Sequence, residues 1–213
     1  MTTMTTGRAT EETNPVALLP SPLHESVAAC LPGGGEVWLR PLQRGETGPL
    51  QSVFDAMSPA ARAQRYLTGM PRLPQPWLDV LTDVDGVNHV AWLASIGMES
   101  VGIARYAVTD PGVVEIALEV ADAFHGHGIG TILLDAVTTV AAARGVRRVR
   151  ATLLPDNEPS RRLVTRAGVR LAVSGGLLEG EGKLRLLDPP RVDRHAVVAL
   201  AARQPGSDRK SLG

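Results

Sequence analysis

The feature that most restricts the fold is a joint near the middle of the chain. Residues 113–120, VVEIALEV, read as a β-strand, and eight residues later a helix begins whose apolar positions keep one broad face. Ile129, Ile132, Leu133, Ala136, Val137, Val140 and Ala141 follow the i, i+3, i+4, i+7 spacing. A strand that runs through a short turn into an amphipathic helix belongs in a layered α/β architecture, with the helix packed on the sheet. The turn itself ends in HGHGIGT, residues 125–131. Glycines 126, 128 and 130 remove side chains where strand becomes helix, so several N–H groups can converge on one anion at the positive end of the helix dipole.

The flanking sequence alternates strand-like and helix-like segments. GEVWLRPL (35–42) predicts a first strand, 47–57 and 59–67 carry helical spacing with Ser58 as N-cap and Pro59 at the first helical position, and 76–81 adds a turn. HVAWLASI (89–96), VGIARYAV (101–108) and VVEIALEV are joined by turns short enough for antiparallel neighbours. Beyond the long helix, which Gly145 ends, RRVRATLLP (147–155) predicts a strand. Asn157 caps a helix that Gly168 stops, and 169–174 and 182–188 predict a final hairpin. The expected organisation is one folded domain over 36–188, a flexible Thr-, Pro- and Gly-rich extension over 1–35, and a largely disordered tail over 189–213 with at most a short helix at 195–203.

Charge excludes some function classes. With 22 basic and 22 acidic residues, no global field favours nucleic acid or an anionic membrane, and no run approaches the ~18 apolar residues of a membrane span. Cys30 is the single cysteine, which rules out an internal disulfide and fits a reducing, cytoplasmic setting. Of the basic residues only Lys183 and Lys210 are lysine, and the arginine-rich run 143–150 is expected to be surface.

Three chemistries compete for the glycine loop. A Rossmann fingerprint needs G-x-G-x-x-G, whereas the spacing here is G-x-G-x-G, and no Gly-Lys-Ser/Thr follows as a Walker loop requires. A metal reading has to use His125 and His127, two positions apart on a loop, with Asp122 and Glu119 at no recognisable ligand spacing, so no metal is expected.

The run from Val120 to Thr131 resembles the acetyl-CoA-binding motif of the GNAT superfamily of N-acetyltransferases. Gly128 and Gly130 match, while His125 stands where Gln or Arg is usual. Asn157, Ser160, Leu163 and Gly168 match the second motif of that family, with Val169 where Phe is usual. Upstream, Ser58-Pro59, Arg62, Arg65, Asp85, His89 and Ala91 resemble the region before the core of bacterial protein-lysine acetyltransferases of the Pat type, and the likeness runs over roughly 36–188. No cyclic-nucleotide-binding or CoA-ligase-like segment of the kind that often accompanies those domains is recognised.

The resemblance implies a GNAT fold, a mixed, mostly antiparallel sheet of six to seven strands split near its middle and flanked by helices. It implies acetyl-CoA as acyl donor and a primary amine as acceptor, first of all a protein lysine, with a small-molecule amine as the alternative, in a monomer or homodimer. A non-catalytic acyl-CoA sensor is a third reading, prompted by His125 and by Val164 where many members carry a tyrosine acid. The base is expected to be Glu115, ten residues before His125, with Glu119 second; on a regular strand both share a face with Ala117, opposite Ile116, Leu118 and Val120. Donor contacts are expected from Leu118 and Val120 backbone beside a bulge, from the loop His125, Gly126, His127, Gly128, Ile129, Gly130 and Thr131, and from Ser160. Asn157 either contacts the pantetheine arm or only caps its helix. Arg161 and Arg162 either reach the CoA phosphates or stay solvated.

Overall fold

The computed structural model describes residues 25–204. In chain order the elements are β1 (Val27–Cys30), β2 (Glu36–Pro41), α1 (Thr47–Asp55), α2 (Pro59–Tyr66), α3 (Gln75–Thr82), β3 (His89–Ile96), β4 (Glu99–Asp110) and β5 (Val113–Val120). They continue with α4 (Ile129–Ala143), β6 (Arg148–Leu153), α5 (Glu158–Arg166), β7 (Arg170–Ser174), β8 (Leu177–Lys183) and α6 (Arg194–Ala201). The strands form one eight-stranded sheet in the order β1-β2-β3-β4-β5-β6-β8-β7. Every neighbouring pair is antiparallel except β5 and β6, which are joined by the α4 crossover and pair at only three positions, Val113↔Arg148, Val114↔Val149 and Glu115↔Arg150. Beyond Glu115 the two strands part, which places the split expected in the sheet.

Both sheet faces are covered, which is why the central strands read as nearly continuous apolar runs. Alternation along β3 sends Trp92 and Ala94 into the core beneath α4 and α6, with Tyr106, Val114 and Ile116. Ala91 and Leu93 go to the opposite core beneath α1–α3, with Phe54, Tyr66 and Ile103. Among the described residues no helix is long and apolar enough to cross a membrane.

Two boundaries differ from those the sequence suggests. The segment 1–35 holds a strand: Val27 and Ala29 are buried, Cys30 pairs with Glu36, and a tight turn over 31–35 joins β1 to β2, so the sheet has eight strands rather than six or seven. Four residues between proline- and glycine-rich stretches carry too little pattern to show this. Residues 1–24 lie outside the described residues. Downstream, the domain continues past 188 into α6, whose Val197, Leu200 and Ala201 join the α4 core. Asp135 of α4, fully buried, fixes this segment by accepting from the Arg191 and Val192 amides (2.5 and 3.2 Å) and from Arg194 (2.8 Å). Residues 205–213 again lie outside the described residues. The last hairpin is also re-registered: Gly175 and Gly176, both left-handed, form a two-residue turn, so β8 begins at Leu177 and not near 182.

Candidate active site

β5 ends at Val120, a short 3₁₀ turn spans Asp122–Phe124, and the glycine loop leads into α4 with Gly126 (φ 78°) and Gly128 (φ 90°) left-handed. Only glycine takes that conformation without strain. The first bonds of α4 run from the Thr131 and Ile132 amides to the Gly128 carbonyl (3.0 and 3.1 Å). The five N–H groups from Gly126 to Gly130 have no hydrogen-bond partner among the described residues. Five open donors at the positive end of a 15-residue helix have the arrangement that favours an anion. The loop is flanked closely: a Cβ at Gly130 would lie 3.1 Å from Leu163 of α5, and one at Gly128 only 2.8 Å from the Pro32 ring.

A second open edge adjoins the loop. The Ala121 amide donates to the Val101 carbonyl, which makes 121/101 a hydrogen-bonded pair of the β4–β5 ladder. By alternation Ile116, Leu118 and Val120, opposite Tyr106, Ala104 and Gly102, turn their N–H and C=O groups away from β4 toward the gap. The gap arises where β5 and β6 diverge after residue 115; the β4–β5 ladder shifts register at the far end, between Val108 and Asp110, and the β3–β4 ladder shifts at the near end, where Val101 is skipped beside Ala121. His125 uses part of this edge, because its Nε2 lies 2.9 Å from the Val120 carbonyl and, facing an oxygen that can only accept, carries the proton. His125 also stands 3.8 Å from Asp122. His127 is exposed, and among the described residues no cluster of three or more His, Cys, Asp or Glu could hold a metal ion.

The two strand glutamates have different surroundings. Glu115 is half-buried and accepts a hydrogen bond from Thr152 Oγ1 of β6 at 3.2 Å, at the point where the strands separate. Glu119 is buried under α2 and fully engaged. Tyr66 Oη donates to it at 2.7 Å and Arg105 at 3.0 Å, and Arg65 Nε lies 3.4 Å away. Burial alone raises the Glu119 pKa, but the charges of Arg65 and Arg105 and the hydrogen bonds from Tyr66 and Arg105 outweigh it and hold the carboxyl below its ordinary range. Burial and the Glu119 charge in turn push the Tyr66 hydroxyl up. A carboxylate held ionised by two guanidinium groups is a poor proton acceptor, whereas Glu115 has a single side-chain hydrogen bond, from Thr152.

On α5, Asn157 accepts from the Ser160 amide (3.1 Å) and is buried as the N-cap. Arg161 and Arg162 both pair with Glu158 across one helical turn (2.5 and 3.5 Å). Val164 is core, so α5 offers no acid at that position. The α2–β4–β5 network of Arg65, Tyr66, Arg105 and Glu119 escapes sequence reading; its one visible signal is an arginine inside the apolar run VGIARYAV, which needs an anionic partner.

Comparison with known proteins agrees with this geometry. Residues 50–169 match the family model of the GNAT acetyltransferases. An acetyltransferase of Pseudomonas aeruginosa is 30% identical over 124 residues, 56% of this chain and 67% of that protein. The acetyltransferase Pat of Mycolicibacterium smegmatis is 33% identical over 140 residues, 62% of this chain but only 40% of Pat. The crystal structure of the GNAT domain of S. lividans PAT superposes with a TM-score of 0.69 at 28% identity, covering 76% of this chain and 99% of that domain.

Proposed function

The chain belongs to the GNAT acetyltransferase family, and from that premise we propose that it transfers the acetyl group of acetyl-CoA directly to the side-chain amine of a protein lysine, with Glu115 as general base. The observation that carries the donor half is the set of five unpartnered amides at the start of α4, beside the open edge of β5. The diphosphate of acetyl-CoA lies on the N–H groups of residues 126–130, and the pantetheine arm runs along β5 toward the gap, paired with the free backbone of Leu118 and the Val120 N–H. His125 uses one of the two lone pairs of the Val120 carbonyl and leaves the other open to the arm.

The acceptor arrives as an ammonium ion. Glu115 accepts one of its protons, the free amine attacks the thioester carbon, and the tetrahedral intermediate expels the CoA thiolate as the C–S bond breaks, its remaining excess nitrogen proton passing to the thiolate or to solvent to leave the neutral amide. A thiol with a pKa near 8.5 leaves without an enzymic acid, in keeping with Val164 on α5. Glu119 serves this site indirectly, by fastening α2 to β5, the strand that carries Glu115. Support for lysine comes from the Met57–Ala94 likeness to Pat-type domains and from the two Pat relatives. The test is to incubate the protein with acetyl-labelled acetyl-CoA and parallel panels of lysine proteins and small amines. Label on lysine side chains supports the proposal, and label confined to small amines overturns its acceptor half.

A further inference from the structure

The β1–β2 turn lies next to the glycine loop, although about 95 residues separate them in sequence. Cys30 pairs with Glu36, so residues 31–35 form a closed turn, held by Leu31 N–H to the Gly35 carbonyl (3.1 Å) and Gly34 N–H to the Leu31 carbonyl (3.0 Å). Leu31 packs on the α4 core and anchors the turn. Pro32 comes next, and its Cδ and Cγ lie 2.8 and 2.9 Å from where a side chain at Gly128 would begin. Beyond it, Gly33, Gly34 and Gly35 are exposed, and a Cβ on any of them would meet nothing within 4 Å. The Gly33 N–H has no partner among the described residues. Leu163 lies against Gly130 as Pro32 lies against Gly128, so the loop that carries the five open amides has close neighbours from both α5 and the turn.

We propose that the turn 31–35 is the second wall of the donor site. Pro32 holds the glycine loop in its open-amide shape by packing on Gly128, and the bare glycine tip contacts the phosphate-bearing end of the acyl-CoA. A tip without side chains lets backbone approach a diphosphate closely, which gives a physical reason for three glycines in a row in a strand turn. This inference rests on the donor assignment above.

Two variants test it. Pro32→Gly removes the ring and leaves the hairpin in place; replacing residues 31–35 by Asn-Gly keeps the β1–β2 register with a two-residue turn and removes the wall. The readouts are calorimetric affinity for CoA, KM for acetyl-CoA, KM for the acceptor amine and the melting temperature. Both variants should bind CoA and acetyl-CoA at least about fourfold more weakly, the worth of one methylene kept from water, with acceptor KM unchanged. CoA affinity within twofold of wild type in a folded Pro32→Gly protein would overturn the wall. Wild-type protein that fails to bind CoA at all would sink the donor assignment instead, so the two failures are separable.

Discussion

The two strand glutamates make opposite predictions, and Glu119→Gln is the more exacting. The substitution removes a buried charge and leaves Arg105, 5% exposed, facing a neutral amide, with only the Leu81 carbonyl as a strong partner and a buried Nε already unbonded. Breaking a buried ion pair from one side costs about 3–5 kcal/mol. Because the glutamine keeps one oxygen acceptor, we take about 3 kcal/mol. At ~2–4 °C per kcal/mol for a domain of this size, the melting temperature should fall by about 6–12 °C. Acid should act on the same group. Glu119 has a folded-state pKa below its unfolded value, so its stabilisation is complete above the unfolded value of about 4.3 and is lost as pH falls through the lower folded one. The gap in stability between wild type and Glu119→Gln should therefore hold at neutral pH and shrink below about pH 4. Thermal melts followed by circular dichroism, paired with CoA release at pH 7, give both readings. Glu115→Gln should do the reverse: it keeps an oxygen to accept from Thr152, melts within about 1 kcal/mol of wild type and loses transfer. A Glu119→Gln protein that melts like wild type yet cannot transfer, beside an active Glu115→Gln, would refute the division of roles.

Other outcomes follow from the same structure. Gly128→Ala combines a left-handed backbone with a collision against Pro32 and should cost roughly 1–2 kcal/mol of stability while raising acetyl-CoA KM, measured by melts and steady-state kinetics. Gly168→Ala should be far worse than Gly145→Ala by thermal melt, since both are left-handed but a Cβ at 168 would sit 2.0 Å from the Lys183 carbonyl oxygen, whereas one at 145 meets open space. Asp135→Asn strips the charge partner of Arg194 and should loosen α6 by about 3 kcal/mol, read as faster proteolytic cleavage after residue 188.

The strand–glycine–helix joint is legible in the sequence because its signals are local: period two in 113–120, period 3.6 in 129–141, and glycines where φ must be positive. The caps at Ser58, Asn157 and Gly168 are readable for the same reason, each satisfying its own helix within a few residues. What escapes local reading is long-range. Tyr66 meets Glu119 across 53 positions, and Asp135 binds Arg194 across 59, so no window along the chain contains both partners. β1 and the Pro32 contact are hidden similarly, since a four-residue strand gains its identity only by pairing with β2. His125 shows the other limit: it attracts attention as a ligand, whereas its side chain secures the end of β5.

The central claim is that Glu115 removes the proton from the acceptor ammonium. The most direct test is the pH dependence of kcat/KM for a lysine peptide with wild type and Glu115→Gln between pH 7 and 9.5. A missing base should slow transfer by roughly 10²–10⁴ at pH 7. The deficit should narrow as pH climbs toward the lysine value near 10.4, where solvent supplies the free amine. Equal rates at pH 7, or a deficit that stays the same at every pH, would contradict the assignment.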